Sequence, residues 1–240
     1  MISRGILKDI SFHPGDANLS GYPFSLAFIK SLDRLKISNE VTFFVGSNGT
    51  GKSTLLEAIA VASGFNPEGG TVNFNFNTRA SHSALHNHLK LSRGTEYHTD
   101  GFFLRSESFF NVATEIEALD VLNSYGGKSL HEQSHGESFW ALFMHRFSGN
   151  GLYLLDEPES ALAVERQMAM LERMRELVLT NSQFIIATHS PLLLAYPGAL
   201  IYEFSTQGIK QCSYQQTLLY QQYSTFFKDP ALIVKQLLNR

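Results

Sequence analysis

An α/β fold, with a mostly parallel sheet flanked by helices, is predicted by two features of this 240-residue chain. Several segments of strand length, at 41–45, 152–155 and 184–187, are apolar throughout, as in strands buried on both faces. Segments of helical period lie between them, as expected when crossover helices cover a parallel sheet. No internal repeat or low-complexity linker interrupts the chain, so it reads as a single domain spanning 1–240.

Taken in order, the first forty residues read as short strands and turns punctuated by Gly15, Gly21 and Pro23, an N-terminal antiparallel β portion. The apolar stretch 24–29 reads as one of those strands. Residues 41–45, Val-Thr-Phe-Phe-Val, are β-branched and aromatic, too short for a helix, and stop at Gly46. From 53 to 62 good helix formers put Leu55, Leu56, Ile59 and Ala60 on one side, and Gly64 and Pro67 close the helix. Apolar and polar residues alternate over 71–79, which predicts a half-exposed strand. A short buried strand at 102–104 precedes helical segments at 111–122, ended by Gly126-Gly127, and at 137–147. The strand at 152–155, a helix over about 163–179 and the strand at 184–187 follow. An amphipathic segment, 231–238, is expected to pack back on the core.

Composition removes some functions without naming one. Hydrophobic residues make up 43 % and charged residues 17 %, a globular balance, and the formal charge of -3 excludes a strongly basic coat for nucleic acid. The single cysteine, Cys212, excludes an intrachain disulfide framework or thiolate zinc cluster and fits a reducing compartment. No run approaches the roughly 18–20 apolar residues that span a bilayer, and the first residues lack a signal-peptide core. A cytoplasmic chain with no direct membrane insertion is expected.

The chemistry is concentrated in four places. Gly46-Ser47-Asn48-Gly49-Thr50-Gly51-Lys52-Ser53-Thr54 matches G-x-x-x-x-G-K-[ST] at every fixed position, between a predicted strand and a predicted helix. Glycines let successive backbone N–H groups turn toward phosphate oxygens, and the helix N-terminus adds its dipole. Lys52 is expected on the β- and γ-phosphates, Ser53 on Mg²⁺ and Thr54 near the α-phosphate. The strand at 152–155 ends in Asp156-Glu157-Pro158, a Walker B pair in which Asp156 holds Mg²⁺ and Glu157 orients or deprotonates water. One helix-and-strand unit later, the strand at 184–187 ends in Thr188-His189-Ser190-Pro191, which places His189 as a γ-phosphate sensor.

With Gln133-Ser134-His135-Gly136-Glu137-Ser138 opening a helix just before the Walker B strand, the sequence resembles the ABC-type ATPase superfamily from about Val41 to Pro191. The hexapeptide departs from the common L-S-G-G-Q signature at Gln133, His135 and Glu137. Asp156-Glu157-Pro158-Glu159 and the nearby Thr188-His189-Ser190-Pro191 look most like the soluble AAA-family ATPases related to SMC, RecF and overcoming-lysogenization-defect proteins. The resemblance implies a P-loop ATPase fold with a small helical subdomain, about 105–140, that carries the signature. It also implies a Mg-dependent ATPase working as an ATP-sandwich homodimer, in which Ser134 and Gly136 bind the γ-phosphate held by the opposite subunit. A partner protein would be driven or gated, nucleic acid stays open as a partner by resemblance alone, and a transporter's nucleotide-binding subunit is the alternative.

Two departures bear on the site. Ala163 stands where transporters carry a D-loop Asp, and no Gln follows the strand at 102–104, which leaves Glu107 as the candidate metal- or water-contacting substitute against a surface or structural role. Tyr22 is the candidate adenine-stacking residue, against core packing. His82, His86, His88 and His98 form a cluster better explained as exposed polar residues than as a metal site, and Arg166, Arg173 and Arg175 read as a charge-paired solvated face.

Overall fold

A computed structural model describes residues 5–37, 40–73, 83–95, 98–119 and 121–239. Nine strands and six α-helices alternate along them: β1 (Leu7–Phe12), β2 (Arg34–Lys36), β3 (Val41–Gly46), α1 (Lys52–Ala62), β4 (Leu89–Arg93), β5 (Asp100–Arg105), α2 (Phe109–Ala118), α3 (His135–His145), β6 (Gly151–Asp156), α4 (Val164–Leu179), β7 (Gln183–Ala187), β8 (Leu200–Ser205), β9 (Gly208–Cys212), α5 (Leu218–Lys228) and α6 (Pro230–Leu238). Six strands form one sheet in the order β5-β6-β7-β3-β8-β9, parallel except for the β8–β9 hairpin. A smaller antiparallel sheet, β2-β1-β4, comes from the N-terminal half. The mixed α/β class and the antiparallel portion are as the sequence predicts.

Period-two alternation divides the main sheet's side chains between two cores. Val41, Phe43, Tyr153, Leu155, Phe184 and Ile186 share one core with residues of α2, α3 and α4. Phe44, Leu152, Leu154, Ile185 and Ala187 share the other with α1 and the small sheet. This is why these strands carry no polar face, apart from the buried Thr42. Gln183, also buried, joins the sheets: its Nε2 donates to Leu7 O at 2.8 Å and its Oε1 accepts from Leu7 N at 2.7 Å.

Three expectations change. Residues 24–29 form turns and a 3-10 helix, Ala27–Ser31, instead of a strand. The N–H groups of Ser25, Leu26 and Ile29 are satisfied locally by Gly21, Pro23 and Leu26 carbonyls, while Phe28 and Ile29 still reach the core. The helix expected over 111–122 ends at Ala118, and a separate 3-10 turn, Leu122–Tyr125, is closed by left-handed Gly126. The 231–238 segment is helical as α6 but does not pack on the core, for neither α5 nor α6 contains a buried residue. Both faces of the sheet are already covered, so no core surface is left for it. Of the strand expected over 71–79, residues 74–79 lie outside the described residues, and 71–73 are not strand. Among the described residues no helix is long and apolar enough to cross a membrane.

Candidate nucleotide-binding site

The Walker A loop runs from the end of β3 to the start of α1, at the carboxyl edge of the parallel strands, where ligands of open α/β sheets bind. Gly51, with φ +97°, is the N-cap of α1, and a Cβ there would fall 2.4 Å from the Phe28 ring, so only glycine fits. No side chain caps α1, which leaves its first-turn N–H groups for a ligand. Lys52 is only 4 % exposed, and its Nζ donates to Gly46 O at 2.8 Å and Ser47 O at 3.0 Å. Burial lowers its pKa, opposed by the nearby carboxylates of Glu157, Asp156 and Glu159.

Strand order brings the other groups to this edge. β7 lies between β3 and β6, and Asp156 pairs in register with Ala187 on one side and Arg105 on the other. Ser53 Oγ donates to Asp156 Oδ1 at 2.9 Å, joining the two residues expected to hold Mg²⁺. Glu157, at φ +50° and ψ +52°, adopts the left-handed conformation that a non-glycine residue rarely enters. Its N–H donates to Ala187 O at 2.9 Å, and its Oε1 lies 3.6 Å from His189 Nε2. That Nε2 is buried and has no hydrogen-bond partner, while the His189 N–H donates to Glu159 Oε1 at 2.5 Å.

Burial pushes the Asp156 carboxyl up to about 6, against the pull of Ser53 and Arg105, and keeps His189 more readily neutral than a free imidazole. A buried lysine, a hydroxyl and carboxylate in contact, and an unpartnered imidazole nitrogen fit a polyphosphate with a hard, oxygen-seeking cation. The residues present therefore suit ATP and Mg²⁺.

A cleft of about 450 Å³ is lined by Tyr22, Leu26, Asn48, Gly49, Gly51, Lys52, Ser53, Thr54, Glu107 and Glu157. Tyr22 is largely exposed at its mouth, with its hydroxyl 3.2 Å from Thr54 Oγ1, so core packing does not describe it. Glu107 lines the cleft with its side chain 89 % exposed, 3.7 Å from Arg105 Nη2. Ser134 and Gly136 do not line this cleft. They sit at the N-terminus of α3, where Ser134 and Glu137 form a capping box. A Cβ on Gly136 would meet Ala161 O at 2.5 Å, and Arg166 Nη1 donates to Gly136 O at 2.8 Å.

Several residues around these groups were not singled out in the sequence for the contacts they make. Arg105 pairs with Glu57 at 2.6 Å beside Asp156. The Ser106 hydroxyl donates to the carbonyls of Asp156 and Glu157, and Ser160 Oγ donates to Ser106 Oγ. Arg166, read as part of a solvated face, braces the first turn of α3 instead, and Arg173 caps Phe147 O as well as pairing with Glu176. Counting residues beyond β5 would have found Ser106, but nothing in a lone serine marks it. His82 lies outside the described residues, and among those described no three metal-binding side chains cluster.

Two family models match: an AAA domain described as a putative AbiEii toxin of a type IV toxin–antitoxin system over residues 96–195, and an AAA domain over residues 24–112. Both matches fall on the segments that build the cleft and carry the Walker motifs. These matches support an ABC-type P-loop ATPase related to the AAA ATPases. A relative, an uncharacterized ABC transporter ATP-binding protein of Haemophilus influenzae, is 25 % identical over 227 residues, covering 84 % of each chain. Among solved structures, a putative metal-chelate type ABC transporter in an inward-facing conformation matches 93 % of this chain and 90 % of its own at 18 % identity and a TM-score of 0.51, a likeness of fold. The SMC head domain of Thermotoga maritima matches 87 % of this chain and 98 % of its own at 15 % identity and a TM-score of 0.45. ATPases of this superfamily bind ATP and typically Mg²⁺.

Proposed function

We propose that this chain, as one domain over 1–240 with a helical subdomain at about 105–140, is a cytoplasmic ATPase that closes head-to-tail on a second copy, with two ATP molecules between them. The observation that carries this reading is a divided site. Lys52, Ser53, Asp156, Glu157 and His189 gather at one sheet edge, whereas Ser134 and Gly136 stand apart from the cleft they are expected to complete. A partner's signature turn supplies what each cleft lacks.

Hydrolysis is then an in-line attack of water on the γ-phosphorus. Glu157 accepts the water proton, the bond from the γ-phosphorus to the bridging oxygen breaks, and ADP and phosphate leave. Gly46, Ser47, Asn48, Gly49, Thr50, Gly51 and Thr54 cradle the phosphates. Lys52 and the Nε2 of His189 contact the γ-phosphate, and Ser134 and Gly136 of the opposite copy close it from the other side. Ser53 and Asp156 would hold Mg²⁺, with Glu107 at the rim as a further water or metal contact, and the bound ion would supply positive charge against the phosphates. Tyr22 supplies an aromatic face for adenine. Positioning and charge neutralisation provide most of the rate.

The test is phosphate release from ATP with Mg²⁺. Glu157→Gln is expected to bind ATP while turning over about 100-fold more slowly or less. Lys52→Ala is expected to lose ATP binding. Wild-type protein that releases no phosphate would refute hydrolysis. The work driven is assigned to a partner protein or nucleic acid. A second reading, the nucleotide-binding subunit of a transporter, is supported by the Haemophilus relative's description. It predicts copurification with a membrane protein, whereas the leading reading predicts dimerisation by the chain alone.

A further inference from the structure

Glu157 must keep its carboxylate on the water while its backbone occupies a conformation that side chains disfavour, so something must hold it there. Three contacts converge on its backbone. Its N–H is held by Ala187 O at 2.9 Å, its carbonyl accepts from Ser160 N at 3.1 Å, and the same carbonyl accepts from Ser106 Oγ at 2.9 Å. Ser106 follows Arg105, the register partner of Asp156, so its hydroxyl reaches over the end of β6 from the neighbouring strand. One hydroxyl proton is shared between the Asp156 carbonyl, at 3.1 Å, and the Glu157 carbonyl, and the oxygen is left to accept from Ser160 Oγ at 3.0 Å.

We propose that Ser106 is a positioning residue for the hydrolytic water: by clasping the peptide carbonyls of Asp156 and Glu157, and by receiving Ser160, it keeps the Glu157 carboxylate in line. The inference rests on the role proposed for Glu157, but its structural half does not depend on hydrolysis. The device suits this chain because no glutamine follows β5, and the short hydroxyl acts on the Walker B backbone instead of on the metal. Ser160 lies on the 3-10 turn just after Glu157, Pro158–Ala161, so the clasp also ties that turn to β5.

The test compares Ser106→Ala, Ser106→Thr and Ser160→Ala by steady-state ATP hydrolysis and by amide hydrogen exchange in the ligand-free chain. Ser106→Ala should lower kcat about 10-fold or more while KM for ATP stays within about 2-fold. Ser106→Thr, which keeps the hydroxyl, should restore kcat to within about 3-fold of wild type. Exchange at the Ser160 amide, bonded to the clasped carbonyl, should quicken about 10-fold in Ser106→Ala and stay unchanged in Ser106→Thr. Ser160→Ala, altering an exposed position that leaves folding intact, should lower kcat by about 3-fold. The proposal is overturned if Ser106→Ala turns over within about 2-fold of wild type, or if its Ser160 exchange is unaltered. Should wild type itself release no phosphate, the hydrolytic reading fails and the exchange measurement alone decides the clasp.

Discussion

Asp156 sits in a place that resists charge, and that cost is what a bound cation would relieve. Its side chain is buried at the end of β6, and its pKa of about 6 stands above the ordinary 3.8 because burial outweighs the Ser53 and Arg105 contacts. The folded state therefore binds more protons than the unfolded state between about pH 4 and 6, and Asp156 costs stability as pH rises through that window. Above pH 6 the cost is fully present, about 2–3 kcal/mol at order of magnitude. Asp156→Asn keeps an oxygen for Ser53 but no charge. Thermal melts of the ligand-free variant should come closest to wild type near pH 3.5, exceed it at pH 7.5, and show no added stabilisation by Mg²⁺ with ATP. Wild type at pH 7.5 should gain stability from the same ligands. An Asp156→Asn melt below wild type at pH 7.5 would contradict this account of the buried charge.

Helix α3 shows how an element carries a site away from the motif beside which it is written. Ser134 caps it, Glu137 returns the capping bond, and Gly136 lets its first turn lie against the Ala161 carbonyl, where Arg166 clamps it to α4. Gly136→Ala puts a methyl 2.5 Å from that carbonyl. It should cost about 1–3 kcal/mol by forcing the backbone apart, read as a lower midpoint in urea. An unchanged midpoint would mean that the turn yields freely. The same element shows what was legible in the sequence. Its capping box is local chemistry, as are the apolar strands β3, β6 and β7 and the glycines of the Walker A loop, so each was readable from neighbouring residues. The 24–29 segment misled because Phe28 and Ile29 are as buried in a 3-10 helix as they would be in a strand. Ser106 and Arg166 were unreadable, since their partners lie 50 and 30 residues away and only the fold brings them together.

At the scale of the whole molecule, α6 stands outside the two cores and α5 touches one through partly buried Leu219, with Phe227, Leu237 and Leu238 well exposed. Because no residue of α6 is fully buried, ending the chain at Asp229 should move the melting midpoint by no more than about 2 °C and raise solubility. A larger drop would show that α6 supports the core. The cleft, built from Walker groups at one sheet edge, is not lined by Ser134 or Gly136, and the proposed function has a second copy supply them. Light scattering of Glu157→Gln with and without Mg²⁺ and ATP measures whether a second copy completes it. The mass should change from the 26.8 kDa monomer to twice that value only when ATP is bound. A variant that binds ATP yet stays at 26.8 kDa would contradict the shared site.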